Sequence, residues 1–283
     1  MLPSNPIGVF DSGVGGLSVL SAIRQQFPAE AVVYLADQGH VPYGPRPLEE
    51  VRSFAEGITR FLLGQSCKLI VVACNAASAA ALHSLRKLFP QVVFVGMEPA
   101  VKPAAEYTRT GRVGVLATPA TFQGLLYASV VERFAQGVIL YQDTCPGLVA
   151  QIEAGELDSP RTRVILEKAL RPMLDQAIDT VVLGCTHYPF VIPLIQSIVG
   201  PQVRVIDPAP AVARQANRML EQHQLAQPGT ADGSLARQVG PGEILFFTTG
   251  PAGLFQALLP RLLNETGRIF QLVWMDGDLS VKK

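Results

Sequence analysis

Two short phrases carry residues that could do chemistry. "VVACNAAS" (71–78) and "VVLGCTHYP" (181–189) each run an apolar strand-like segment straight into a thiol, Cys74 in the first and Cys185 in the second. Each cysteine opens a helix-like segment or turn, where backbone N–H groups favour a thiolate, so a lowered thiol pKa is expected at both. Asp11 and His187 are the groups placed to tune them. One thiol with a base would suit a Cys/His hydrolase or isomerase. Two thiols on opposite faces of one carbon suit something else: a proton removed from one side and returned on the other, which is racemisation or epimerisation.

The surrounding residues suit a small anionic substrate. "DSGVGG" (11–16) offers the Ser12 hydroxyl and free N–H groups at a helix start, a natural carboxylate site. It lacks the Lys of a phosphate-binding loop and the third glycine of a dinucleotide fingerprint. Tyr43 and Gly44, in "VPYG", are binding candidates, with a simple turn as the competing reading. Asn75 and Thr186 follow their cysteines directly and can donate to carboxylates. Thr118 and Thr121 are weaker candidates, because capping of the following helix explains them as well. Glu153 reads as part of a solvated helix face, or otherwise as a carboxylate behind the site. His83 and His223 read as structural or exposed, and His40 as ambiguous. The spacing of Cys and His fits no metal site, and none is expected.

The elements that must position these residues alternate strand and helix. "IGVFD", "AVVYLAD" and the run into Cys74 read as short apolar strands, separated by segments with apolar residues at helical spacing: Leu17, Leu20, Ile23 and Phe27, then Val51, Phe54, Ala55, Ile58, Phe61 and Leu62. Such strands imply an α/β fold with mainly parallel sheet covered by helices on both faces. The pattern then recurs. "VGVLAT" echoes "IGVFDS", "VILYQD" echoes "VVYLAD", the Cys185 phrase echoes the Cys74 phrase, and "IDPA" echoes "MEPA". Four matches in order indicate two copies of one unit facing each other across a cleft. On this alignment Cys67 falls on Ile178 and reads as buried filler, whereas Cys145 falls on Gly39 in a loop.

Composition narrows the partners. The 283 residues carry no formal net charge, and aromatics make up only 7%, which argues against nucleic acid and an anionic membrane. No apolar run reaches the roughly 18–20 residues needed to span a bilayer, and no signal peptide is visible. Four cysteines in a chain this long read as free thiols in a cytoplasmic protein.

"FDSGVGGLSVL", "HVPYG", "ACNAASA", "LATPAT" and "GCTHYP", in that order and across nearly the whole chain, resemble the glutamate racemases of the aspartate/glutamate racemase family. The resemblance implies a cofactor-independent isomerase, using neither pyridoxal phosphate nor metal, that supplies D-glutamate for peptidoglycan and cell-wall synthesis. It implies Cys74 as the thiol acting on the D-enantiomer and Cys185 as the one acting on the L-enantiomer. The implied substrate contacts are Asp11 and Ser12, Tyr43 and Gly44, Asn75 and Ala76, and Thr186 and His187. It also implies a homodimer and two α/β domains: residues 1–97 with 207–283, and residues 98–206. The Val130, Val131 and Phe134 region and the segment 270–274 could face a partner subunit, or simply be core. Residues 228–242 read as a loop or linker. Racemisation of aspartate or another amino acid, and a non-catalytic acid-binding protein, remain open alternatives.

One position departs from the family. It has Thr where this chain has Ala76, and one lost hydrogen bond to a charged group is worth about 1.5–3 kcal/mol. The neighbouring Ser78 hydroxyl or a water could compensate.

Overall fold

The computed structural model describes residues 2–226, 240 and 242–282. Most of the 228–242 segment expected to be a loop therefore lies outside the described residues.

Every residue of β1 (Ile7–Asp11), β2 (Val32–Ala36) and β3 (Leu69–Val72) is buried. Burial on both faces explains why these segments read as continuous apolar runs rather than alternating ones. The strands are joined by helices α1 (Leu17–Gln26) and α2 (Leu48–Gly64). In α2, Val51, Ala55, Ile58 and Leu62 of the predicted stripe are buried, and Phe54 and Phe61 are half-buried. Helix α3 (Asn75–Leu88) then leads to β4 (Phe94–Gly96).

The second half repeats this course. Helix α4 (Val101–Tyr107) precedes β5 (Arg112–Ala117), which leads into α5 (Pro119–Gln123) and α6 (Leu125–Phe134). Then come β6 (Ile139–Asp143), α7 (Leu148–Glu153), a further helix Pro160–Leu174, β7 (Thr180–Gly184) and β8 (Arg204–Ile206). The chain returns to the first half through a helix, Ala209–Gln222, and three strands: β9 (Ile244–Thr248), β10 (Arg268–Met275) and β11 (Asp278–Val281).

The strand orders display the duplication. One sheet runs β11-β10-β9-β2-β1-β3-β4 and the other β6-β5-β7-β8. The order β2-β1-β3-β4 is therefore repeated as β6-β5-β7-β8, and every pairing except β10 with β11 is parallel. This is the α/β architecture of two similar halves that the sequence predicts.

The register corrects one detail. Ile7 faces Leu69 as Val113 faces Thr180, which agrees with Cys74 matching Cys185. But Ile7 faces Val32 whereas Val113 faces Leu140, so the second copy is displaced along β6. Asp37 thus corresponds to Cys145, not Asp143. Cys145 lies in the loop between β6 and α7, as expected of a loop residue, and its thiol is buried in a core that also includes Tyr188 and Ile152. Cys67 is buried, as expected. Val130 packs with Val113 and Val182 in the core of the second half, and the Phe270 ring stacks on Phe247.

The order of the strands fixes what meets at the cleft. β1 and β3 lie side by side in one sheet, and β5 and β7 side by side in the other. Asp11, Cys74, Thr118 and Cys185 stand at the carboxyl ends of these four strands, where parallel sheets place their ligands.

Candidate active site

Cys74 occupies the N-cap position of α3, and its Sγ accepts the Ala77 N–H at 3.5 Å. The thiol faces the Ser12 hydroxyl, 3.9 Å away. A helix N-terminus is therefore present, as expected, but its effect is overridden. Burial, and then the nearby Asp11 carboxylate, push the Cys74 thiol up from its ordinary value. In a closed, water-poor site the charge of a thiolate is costly, so Cys74 rests protonated.

Across the cleft, Cys185 Sγ lies 3.8 Å from His187 Nδ1. The other ring nitrogen, Nε2, is 2.6 Å from Glu153 Oε1. Burial alone would lower the pKa of His187, but the contacts to Cys185 and Glu153 outweigh it and favour the imidazolium. Burial likewise opposes the Glu153 charge, yet hydrogen bonds from His187, Gln38 and the Val14 amide hold its carboxyl below the usual range.

Glu153 is the main residue that sequence reasoning misplaced. It is not on a solvated face. It is buried, and it accepts the Val14 N–H at 2.8 Å and the Gln38 side-chain amide at 2.9 Å. α7 is only six residues long, too short for an amphipathic period to show which way its last residue turns.

The glycine turn "DSGVGG" owes its composition to this contact. A Cβ on Gly13 would fall on the Glu153 carboxylate, and one on Gly15 would lie 2.6 Å from His187 Cε1 and 2.7 Å from Thr186 Oγ1. Neither glycine has positive φ. They are needed for close approach between the halves, not for an unusual backbone.

Asp11, fully buried, underlies the turn. Its Oδ1 accepts the Gly13 N–H at 2.7 Å, and its Oδ2 accepts the Thr186 hydroxyl from the other half at 2.7 Å. Burial is the largest influence on its carboxyl; His187, Thr186 and Gly13 oppose it, and the result is a pKa raised to about 6. Ser18 adds a further tie between the halves, its hydroxyl donating to the Thr186 carbonyl at 2.9 Å.

These elements enclose a small cavity of about 20 Å³, room for about one water. Ser12, Tyr43, Gly44, Cys74, Asn75, Ala76, Thr118, Cys185, Thr186 and His187 all line it, joined by Pro42 of the same "VPYG" loop and by Val149, which the sequence did not single out. Asp11 and Thr121 stand behind the lining. The Asn75 side chain is the anomaly: both its Oδ1 and its Nδ2 are buried without a hydrogen-bond partner. A buried amide of this kind carries a desolvation cost unless something binds there.

Other expectations are refined. The Tyr43 hydroxyl points away from the cavity and donates to Asp37 Oδ2 at 2.6 Å, leaving its loop backbone and ring to face the site. Gly44 sits against Thr118, where a Cβ would come within 2.6 Å of the threonine Cβ. Neither Thr118 nor Thr121 acts as a side-chain helix cap; their hydroxyls lie 3.2 Å from each other. Ser78 cannot stand in for a hydroxyl at position 76. It donates to the Val72 carbonyl at 3.1 Å and accepts the Met97 N–H at 2.9 Å. His40 bonds Asp37 at 2.9 Å, while His83 and His223 are exposed.

Residues 7–216 match the family model described as Asp/Glu/Hydantoin racemase. The chain is 48% identical over 266 residues to the glutamate racemase of Ectopseudomonas mendocina (strain ymp), covering 93% of this chain and 97% of that protein. Among solved structures, glutamate racemase from Thermus thermophilus in complex with beta-chloro-D-alanine is 36% identical with a TM-score of 0.79, covering 96% and 98% of the two chains. The glutamate racemase of Francisella tularensis subsp. tularensis SCHU S4, in complex with D-glutamate, is 27% identical with a TM-score of 0.81, covering 97% and 99%.

Proposed function

The chain belongs to the Asp/Glu/Hydantoin racemase family, and from that membership we propose that it interconverts L- and D-glutamate by proton transfer between two opposed thiols. The observation that carries this reading is the unpartnered Asn75 amide, buried in a cavity lined by both Cys74 and Cys185. It is a hydrogen-bonding group prepared for a polar ligand at the point where the two sulfurs converge.

The chemistry follows from the two faces. In one direction the Cys185 thiolate takes the Cα proton of L-glutamate, and the Cys74 thiol gives its own proton to the opposite face. The products are D-glutamate, a Cys185 thiol and a Cys74 thiolate, and the reverse reaction restores the start. His187 Nδ1 is within reach of Cys185 for proton exchange, and Glu153 orients the ring and favours its charged form. On the other side Asp11 and Ser12 adjoin Cys74. Asn75, Thr186, Ser12 and the backbone around Tyr43 and Gly44 would hold the carboxylates and ammonium. This mechanism calls on no cofactor or metal.

Glutamate is much larger than the cavity, so the halves must part to admit it. The bonds that would open are Thr186 to Asp11, Ser18 to the Thr186 carbonyl, and Glu153 to Val14 and Gln38. We take residues 1–97 with 207–283, and 98–206, as the two moving domains; the sorting of the strands into two sheets supports this division. Among the described residues no helix is long and apolar enough to cross a membrane. A cytoplasmic homodimer supplying D-glutamate to cell-wall synthesis completes the proposal. Leu125, 86% exposed on α6, is a candidate for a subunit contact, and light scattering would test the assembly.

The deciding experiment incubates metal-free protein with L-glutamate in deuterated water. D-glutamate carrying deuterium at Cα is expected; neither product nor exchange would sink the proposal. Cys74→Ser and Cys185→Ser should each cut turnover at least ~100-fold, and full activity in either removes that residue from its role. Faster turnover of L-aspartate would reassign the substrate.

A further inference from the structure

Asp37 lies one residue beyond β2, fully buried, and collects four donors. Its Oδ2 accepts from the Tyr43 hydroxyl at 2.6 Å and from His40 Nδ1 at 2.9 Å. Its Oδ1 accepts from the Thr249 hydroxyl at 2.7 Å and from Trp274 Nε1 at 2.8 Å. The two oxygens thus face different parts of the chain: one the loop that lines the cavity at Pro42, Tyr43 and Gly44, the other the β9–β11 extension. Burial opposes the charge, but these donors hold the carboxyl below its ordinary range.

The extension belongs to the first half only. The second sheet ends at β6, where the first continues from β2 through β9 to β11. Thr249 follows β9, accepts the Gly39 N–H at 2.8 Å and donates its own N–H to the Ala36 carbonyl at 3.1 Å. Trp274 of β10 is wedged between the loop and α2. Its ring tilts against Phe54 and His40 at centroid distances of 5.7 and 5.5 Å. It also passes so close to Gly57 of α2 that a Cβ there would lie 2.6 Å from the indole.

We infer that the β9–β11 extension is a positioning element for the substrate-facing loop, with Trp274 and Thr249 fixing Asp37 and Asp37 fixing Tyr43. None of these three groups touches the reacting carbon. They act through the loop, whose backbone the proposed function places against glutamate, and the inference rests on that reading for its kinetic consequence. The physical reason is charge and rigidity together. A fully buried carboxylate with four donors, two from the loop and two from the extension, permits one arrangement of the loop.

The test uses Trp274→Phe, which keeps an aromatic ring and deletes the N–H, and Thr249→Val, which keeps the shape and deletes the hydroxyl. Hydrogen exchange of the 38–44 amides, read without substrate, should quicken in both variants. KM for L- and D-glutamate should rise roughly 3–10-fold, the partial loss of one hydrogen bond to a charged group, with a smaller change in kcat. Combining Trp274→Phe with Tyr43→Phe should raise KM by less than the product of the single effects, since both act through Asp37. Wild-type exchange rates in both variants, or KM within twofold of wild type in both, would overturn the inference. Absence of glutamate turnover in the wild-type protein would overturn the proposed function instead, and the exchange measurement would still decide the role of the extension.

Discussion

Glu153 Oε1 lies 2.6 Å from His187 Nε2 and 2.8 Å from the Val14 amide, so a single carboxylate oxygen joins the histidine of one half to the glycine turn of the other. Closure of the cleft and charging of His187 therefore draw on the same carboxylate. Glu153→Gln keeps a polar group in place and removes the charge. His187 should then lose its proton at lower pH, moving the alkaline limb of kcat/KM down by about one pH unit, with kcat reduced roughly 10–100-fold. A pH–rate profile superimposable on wild type would exclude the coupling.

Asn75→Ala separates binding from stability. The wild-type amide is buried with both polar atoms unpaired, a burden of about 1–3 kcal/mol in the free protein. Removing it should leave the Tm of the free protein unchanged or higher, while KM for glutamate rises at least ~10-fold. Calorimetry and steady-state kinetics on one preparation would check both. A lowered Tm with unchanged KM would instead mark Asn75 as a packing residue.

Asp11 gives a pH dependence of unusual sign for a carboxylate. Its pKa is raised from 3.8 to about 6 in the fold, so between these values the folded protein holds a proton that the unfolded chain has lost. Stability from this group is greatest below the lower value, falls as pH rises through the window, and is flat above the upper one. The loss amounts to about 3 kcal/mol at neutral pH. Asp11→Asn should accordingly raise stability at pH 7 relative to wild type, with the advantage vanishing below pH ~4, and should depress activity. Denaturation midpoints at the two pH values supply the measurement.

Gly15→Ala tests the close approach of the halves. The added methyl would meet the His187 ring and the Thr186 hydroxyl, so the ring must turn away from Cys185 or the cleft must stay ajar. Turnover should fall at least ~10-fold, with a stability loss of about 1–3 kcal/mol from the overpacking. A variant with wild-type kcat would show that the turn has room to shift.

Ala76→Thr adds a hydroxyl at a position that lines the cavity. Because Ser78 is committed to Val72 and Met97, the wild-type chain has no substitute from that side. KM should fall roughly 10–150-fold, the value of one added hydrogen bond to a charged group. An increased KM would mean that the cavity is shaped around the smaller side chain.

Much of this site is local in origin, which is why it could be read from the chain. Cys74 and Cys185 stand out because each follows an apolar strand directly and because the duplication sets them in equivalent places. Ser12, Asn75 and Thr186 are adjacent to strand ends, and strand ends in a parallel sheet converge whatever the rest of the molecule does. The glycines of 13–16 are legible as a turn, although their cause, the carboxylate and imidazole pressed against them, is not.

What stayed hidden depends on contacts between distant segments. Glu153 is buried by Val14 and Gln38, residues of the other half, so nothing within its own short helix marks it. The Cys74 thiol is held protonated by enclosure, a property of the closed cleft that outweighs the helix N-terminus visible in the sequence. The tie from Trp274 to Asp37 links residues near opposite ends of the chain, and the slip of register at β6 is set by pairing, not by pattern. By itself the sequence determined the fold class, the duplication, the two thiols and the family. Only the tertiary structure decided which groups carry charge, which hydroxyls are free and what holds the substrate-facing loop. Those depend on desolvation and on hydrogen-bond partners brought together from separate segments, and both come into existence when the halves pack.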